Sequence, residues 1–224
     1  MEMNKPYIIC HMMTSVDGRI DCAMTEQLPG VEEYYATLDE LDVPTRISGR
    51  YTAELEMASG KFTSETVTPY GKEGFSKAIE ANGYEIVIDT KGTLLWGDDT
   101  GAIRPHLIIT SEDVSQEYLS YLDSCHISWI ACGKGHEGLA HSMEILANEF
   151  GVRRVGVVGG PIINTAFLTA GLLNEISLLV GSGIDGRGGM QAVFDGRAMD
   201  QQVIPLQLTS AAQRGNAVWL RYVL

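Results

Sequence analysis

The sequence predicts an α/β fold: a mostly parallel central sheet with helices on both faces, closed by an antiparallel C-terminal hairpin. Three observations predict it. Short β-type runs alternate with amphipathic stretches through residue 180, the pattern of strands joined by helical crossovers. The β-branched run 155–158 stops at Gly159-Gly160, and Pro161 opens a stretch with Ile163, Ala166, Phe167 and Ala170 at helical spacing. Proline suits the first helical position, where its missing N–H has no partner in any case. Beyond residue 180 the β-type runs follow one another with no helix between them, as antiparallel strands do.

The elements follow in order. Residues 7–13 are an unbroken apolar run around His11; they predict a buried strand, with His11 as a core histidine. Residues 14–30 are loop-like and hold Ser15-Val16-Asp17-Gly18. Val31, Tyr34, Tyr35, Leu38 and Leu41 share one helical face, predicting a helix over 31–41 that Pro44 ends. A strand over 45–48 meets Gly49, and a helical turn follows over 50–58. Residues 59–76 carry no clear period. Strands are predicted at 85–89, 106–110 and 127–132, with a short helix over 115–122 between the last two. Met143, Leu146, Ala147 and Phe150 predict a helix closed by Gly151 at C′. His136, Glu137 and His141 read as a loop before it, with no metal site expected. The last strands are placed at 176–180, 202–209 and 217–224. A flexible glycine-rich connection over 181–189 and a turn at Gln213-Arg214-Gly215-Asn216 join them.

Composition bounds the function. With 224 residues, 45% of them hydrophobic, one domain over 1–224 is expected. Acidic side chains outnumber basic ones 29 to 16, giving a net charge of −13; this disfavours nucleic acid and anionic membranes as partners. The four cysteines show neither a CxxC pair nor zinc-type spacing and read as free thiols of a reducing cytoplasm. No signal peptide is expected from residues 1–6, and no apolar run approaches the ~20 residues of a membrane span.

The Gly159-Gly160 corner carries the first functional reading. Glycines let the backbone approach a ligand, and the free amides and positive dipole end of the helix behind them favour an anion. In sheets of this kind ligands bind beyond the C-terminal strand ends, where loops 14–19, 48–56 and 159–165 are expected. The combination predicts an enzyme with a phosphorylated cofactor.

Three motifs then coincide: Met12-Met13-Thr14-Ser15-Val16-Asp17-Gly18-Arg19-Ile20, Gly49-Arg50-Tyr51-Thr52-Ala53-Glu54, and Gly159-Gly160 followed by Phe167-Leu168 and Gly171-Leu172-Leu173-Asn174-Glu175-Ile176. Their order and spacing resemble the reductase domain of bacterial riboflavin biosynthesis, the C-terminal half of the bifunctional deaminase-reductase, over nearly the whole chain. The His-x-Glu and Pro-Cys-x-x-Cys motifs of the deaminase half do not occur. The resemblance implies the three-layer dihydrofolate-reductase-like fold, a homodimer, and NADPH as cofactor for reduction of a small molecule. That substrate would be a ribosylamino-pyrimidine phosphate, reduced at the C1′ imine.

By the same resemblance, NADPH is held by Gly49, Arg50, Thr52 and Glu56, and by Val158, Gly159, Gly160, Pro161, Ile162 and Asn164. Arg50 would meet a phosphate such as the 2′-phosphate. Ser15, Asp17 and Gly18 line the substrate side, with Asp17 as candidate proton donor. A cis Gly159–Gly160 peptide is expected. Two departures concern the substrate: Val158 stands where the family usually has Glu, and only Lys61 lies where it usually has an arginine. A same-fold reductase acting on a pterin, flavin-like or xenobiotic substrate is the first alternative, and a non-catalytic nucleotide-binding module the second.

Overall fold

The computed structural model describes residues 5–65, 68–133 and 135–224; residues 1–4, read above for a leader, lie outside them. In chain order the elements are β1 (Tyr7–Thr14), α1 (Cys22–Thr25), α2 (Val31–Glu40), β2 (Thr45–Gly49), α3 (Arg50–Glu56), β3 (Gly60–Lys61), β4 (Gly74–Ser76), β5 (Glu85–Ile88), β6 (Leu94–Leu95), β7 (His106–Thr110), α4 (Gln116–Ser124), β8 (Ser128–Ala131), α5 (Gly135–Glu149), β9 (Arg154–Gly159), α6 (Pro161–Thr169), β10 (Glu175–Val180), β11 (Gln207–Arg214) and β12 (Ala217–Val223). They group into two compact units. One comprises Pro44–Val155 with residues 5–6; the other comprises Tyr7–Val43 and Gly156–Leu224.

In the first unit the strands lie in the order β2-β5-β7-β8-β4. All are parallel except the short β4, which runs against β8. Of these, β5, β7 and β8 are buried on both faces, which is why their sequences read as short apolar runs. Val87, Ile108, Trp129 and Ala131 pack with Ala53 of α3 and Tyr118, Leu119 and Leu122 of α4. Ile86 and Ile130, of opposite parity, are also fully buried. Cys132, which shares the parity of Ile130, brings its thiol to 3.0 Å from Ser142 Oγ on α5. Helices therefore cover both faces here. Helix α4 begins at Ser115, whose hydroxyl accepts from the Tyr118 amide at 3.1 Å, an N-cap that fixes its start.

Helix α5 begins at Gly135, eight residues before the first apolar position of the predicted period, so His141 and Glu137 lie on a helix and not in a loop; the His136 side chain lies outside the described residues. Glycines hid this start, because they weaken a helical pattern. For Gly138 the reason is close approach: a Cβ there would sit 2.7 Å from the carbonyl carbon of Gly133.

In the second unit the order is β11-β12-β10-β1-β9. β1 runs parallel to β10, from Ile9 opposite Glu175 to Thr14 opposite Val180. β12 returns antiparallel beside β10. Ile9 and Met13 pack with Leu38 and Leu41 near α2, Leu179 and Trp219. His11, between them, is fully buried. Its Nδ1 lies 2.9 Å from Ser177 Oγ, its Nε2 lies 3.2 Å from Thr37 Oγ1, and its ring stacks on Tyr34. Trp219 donates to the same Ser177 oxygen at 2.7 Å. These bonds satisfy a buried polar group that would otherwise be costly, and His11 is the core histidine the apolar strand implied.

The C-terminal hairpin forms with a shifted first strand. Arg214 pairs with Ala217, so only Gly215 and Asn216 make the turn, with Gly215 at φ 52°. A two-residue loop sets register outward from the turn, and the strand back from Arg214 spans Gln207–Arg214. The apolar residues that suggested a strand over 202–209 are partly outside it, and Val203 is largely exposed. The predicted class, a mostly parallel α/β sheet with an antiparallel C-terminal hairpin, is the one found. Among the described residues no helix is long and apolar enough to cross a membrane, and no group of side chains could hold a metal ion.

Candidate active site

The β9–α6 corner is built as its sequence demands. Gly160 has φ 85° and ψ 121°, a conformation closed to residues with a Cβ. The chain turns through this glycine with a trans peptide: no cis bond occurs among the described residues, which corrects the cis Gly159–Gly160 expectation. Pro161 is the first helical residue, no side chain caps the helix start, and the first helical bond runs from the Asn164 amide to the Gly160 carbonyl at 3.0 Å. The amides of Ile162 and Ile163 thus sit in the first turn, where intrahelical acceptors are lacking.

Ile162 is exposed and Val158 half-buried. Asn164 is fully buried; its Nδ2 donates to the Val193 carbonyl at 2.8 Å, and its Oδ1 has no partner. A buried amide oxygen without a donor costs about 1–3 kcal/mol. A ligand or water donor beside α6 would relieve that cost.

The loop after β1 lies in the same unit. Ser15 is fully buried; its hydroxyl donates to Asp17 Oδ1 at 2.7 Å and accepts from the Arg19 amide at 3.0 Å. Gly18, at φ 78°, closes the turn by donating its amide to the Ser15 carbonyl at 2.9 Å. Asp17 also accepts from the amides of Asp185 and Gly186, both at 3.0 Å. The Ser15 hydroxyl, followed by these two amides, holds the Asp17 carboxyl at a pKa of about 2. Every one of these donors favours the ionised form. Near neutral pH Asp17 thus accepts the amides of residues 185–186 and anchors them to the turn.

The 181–189 connection, expected to be flexible, is tied down. The Gly181 amide donates to Thr14 O and Gly183 O accepts from the Val16 amide, both at 2.8 Å. Farther along, Arg19 donates to the Met190 carbonyl, and the Ile20 amide donates to Gln191 O at 3.2 Å. The Asp195 amide then reaches Thr165 Oγ1 at 2.9 Å. Residues 15–20 and the first turns of α6 are thus joined through 181–195. Arg19, Thr165 and Arg187 were not singled out in the sequence. The mixture of Asp and Arg among the glycines was the available signal.

The second corner belongs to the other unit. Gly49 ends β2 at φ −89° and ψ 163° and begins α3 without a side-chain cap. Arg50 extends from the first helical position but pairs with Glu54 one turn on, at 3.1 Å. Glu54 is also bound by Lys61 at 2.9 Å, and Lys61 foremost holds its carboxyl below the usual range. An exposed, solvent-screened pair of this kind contributes little, so a phosphate can displace Glu54 from Arg50 at little cost. Thr52 is half-buried in the first turn and Glu56 is exposed at the helix end.

The strand topology and the glycine corners after β2 and β9 define a class, the dihydrofolate-reductase-like α/β fold. The sequence matches the RibD C-terminal domain family over residues 6–220, and the chain belongs to that family. Solved structures share its fold. Acinetobacter baumannii RibD aligns with a TM-score of 0.68 at 20% identity, over 100% of this chain and 59% of that one. A pyrimidine reductase-like protein from Corynebacterium diphtheriae gives 0.67 at 15% identity, over 98% and 92%. The Saccharomyces riboflavin biosynthesis reductase Rib7 gives 0.64 at 18% identity, over 100% and 91%. The chain thus spans under two thirds of the bacterial RibD it matches.

Proposed function

We propose that the chain is an NADPH-dependent reductase of the riboflavin-biosynthesis type, transferring hydride to the C1′ imine of a ribosylamino-pyrimidine phosphate. The observation that carries the reading is the uncapped α6 N-terminus behind Gly160, with the unpartnered buried Asn164 oxygen beside it. An anion meets free amides and the positive end of the helix dipole there, and a ligand hydroxyl or amide satisfies Asn164. Gly159, Gly160, Pro161 and Ile162 shape that turn. In the other unit Gly49, Arg50 and Thr52 offer a second phosphate station. The nicotinamide ring, when bound, supplies the hydride.

The chain's own residues orient and exclude. Ser15 and Gly18 fix the turn after β1, and Asp17 locks it to residues 185–186. Solvent then supplies the proton, since Asp17 is held ionised. Val158 in place of the usual Glu favours a second reading, a same-fold reductase with a less polar heterocyclic substrate. A homodimer is part of the proposal. The sheet end of β11 and β12 exposes Leu208 (54%) and Val218 (43%), and a second copy would cover it. The expected compartment is the cytoplasm.

Titration of NADPH and of NADH against the protein, followed by nicotinamide fluorescence, tests the core of the proposal; binding of neither refutes it. Arg50→Ala should weaken NADPH more than NADH, and equal losses would remove Arg50 from the 2′-phosphate. NADPH binding without turnover of the pyrimidine, dihydrofolate or a panel of heterocycles would identify a nucleotide-binding module instead.

A further inference from the structure

Segment 181–196 is held almost entirely by polar bonds. It contains no helix or strand, and within it only Gly181 and Val193 are buried. Ile184 lies largely in solvent. Apolar burial therefore does little to seat it. Besides the Gly181 amide bond to Thr14 O and a Ser182 hydroxyl bond to the Asn216 carbonyl of the hairpin turn, its bonds fall in two groups. The first joins it to the loop after β1, through Val16 to Gly183, Asp17 to Asp185 and Gly186, Arg187 to Asp21, Arg19 to Met190 and Ile20 to Gln191. The second joins it to α6, through Val193 to Asn164 and Asp195 to Thr165. Segments stabilised this way open at low free-energy cost, and they open as contiguous units.

We propose that this segment is a coupling strap: occupying the α6 N-terminus seats it, and its seating orders the 15–20 loop, so that nucleotide and substrate each raise the other's affinity. The proposal rests on the reading of those two places as ligand-facing. The link at the α6 end is Asn164. One amide group both holds Val193 through Nδ2 and carries the buried, unpartnered Oδ1. A ligand donor on Oδ1 immobilises the group that anchors the strap. At the other end Asp17 stays ionised down to a pH of about 2, so the grip on residues 185–186 does not slacken across physiological pH. Coupling of this kind is reciprocal and typically changes affinity about 5- to 150-fold.

Hydrogen–deuterium exchange decides the matter, first without any ligand. Thr165→Val removes the acceptor of the Asp195 amide while preserving side-chain shape. It should raise exchange at the Val16 and Ile20 amides, whose acceptors are Gly183 and Gln191 on the strap. Asp17→Asn should raise exchange at the distant Asp195 amide. The double variant should show less than the sum of the two effects, because both act on one opening. Effects confined to each variant's own end of the segment overturn the proposal. In the second arm, saturating NADPH should slow exchange at Val16 and Ile20 about fivefold or more in the wild type, and less in Thr165→Val. Protection of the α6 amides alone overturns the strap but leaves NADPH binding intact. Failure of NADPH to bind removes the proposed function, and the ligand-free arm still decides whether the two ends are coupled.

Discussion

Gly160→Ala and Gly171→Ala perturb the two ends of α6 with the same added methyl group, and the structure predicts unequal outcomes. Gly171 lies just past the helix end at φ 64°, with nothing within 4 Å of an added Cβ. That is the left-handed conformation common at C′, and alanine there costs about 1–2 kcal/mol. Gly160 has a similar φ of 85° but a ψ of 121°, outside the small left-handed well open to L-residues. Strain there reaches about 1–3 kcal/mol if the corner holds. At roughly 2–4 °C per kcal/mol for a chain of this size, Gly160→Ala lowers the melting temperature by about 2–12 °C. The alternative to that strain is rotation of the peptide, which turns the first-turn amides away from their common direction. Urea unfolding followed by circular dichroism measures the first effect, and NADPH titration the second. Gly160→Ala should lose at least about tenfold in NADPH affinity, equivalent to about 1.4 kcal/mol, while Gly171→Ala binds as the wild type does. Equal binding by both variants, or greater damage from Gly171→Ala, would refute the reasoning.

Three further outcomes are expected. Tyr118→Phe should destabilise by about 2–4 kcal/mol in urea titrations, because it leaves two buried partners unmatched. The lost hydroxyl accepts from Trp96 Nε1 and donates to Leu94 O, each at 3.0 Å; a loss under about 0.5 kcal/mol would be inconsistent with those bonds. His141 sits between Glu73 and Glu144 at 3.0 and 3.1 Å, and these carboxylates, Glu73 foremost, raise its pKa. A raised folded value means that its contribution is full below the ordinary value of about 6.5 and fades as pH rises through the folded one. The site is largely exposed and screened, so His141→Gln should lose under about 1 kcal/mol at pH 5.5 and nothing at pH 9; a loss at pH 9 as large as at pH 5.5 would exclude an ionic role. Asp17 works with the opposite sign: its lowered pKa contributes above the ordinary carboxylate range and is lost as pH falls toward 2. The wild type should therefore gain exchange at Asp185 and Gly186 on acidification, after correction for intrinsic rates, and Asp17→Asn should not.

For the proposed NADPH to bind a chain with net charge −13, local donors must outweigh the chain's own field. At the α6 start they are backbone amides, which carry no counter-charge to neutralise and stay in place when a ligand leaves. At α3 the donor is a guanidinium already paired with Glu54, so Arg50 would exchange a carboxylate partner for an arriving phosphate. The two corners should therefore respond differently to salt. Screening weakens the exposed Arg50 contact, whereas amides fixed in the first turn of α6 are less affected.

The regular elements were legible because their causes are local. The 7–13 apolar run became β1, the 31–41 period became α2, and the Gly-Gly-Pro corner became the start of α6. Departures came where a distant partner decides. The strand read at 202–209 begins at Gln207 because pairing from the Gly215-Asn216 turn outweighs the apolar character of Val203 and Ile204. The start of α5 was hidden because Gly138, a poor helix former, is needed for its approach to Gly133. Asp17 was read from its motif as a carboxyl in a turn; the bonds it accepts were not legible there. Sequence supplies a carboxyl but not the amides of Asp185 and Gly186, 168 and 169 residues away, that keep it charged. A titratable residue in a motif is an acid, a base or an anchor according to donors that only the folded chain brings to it, and three donors on one carboxylate make an anchor.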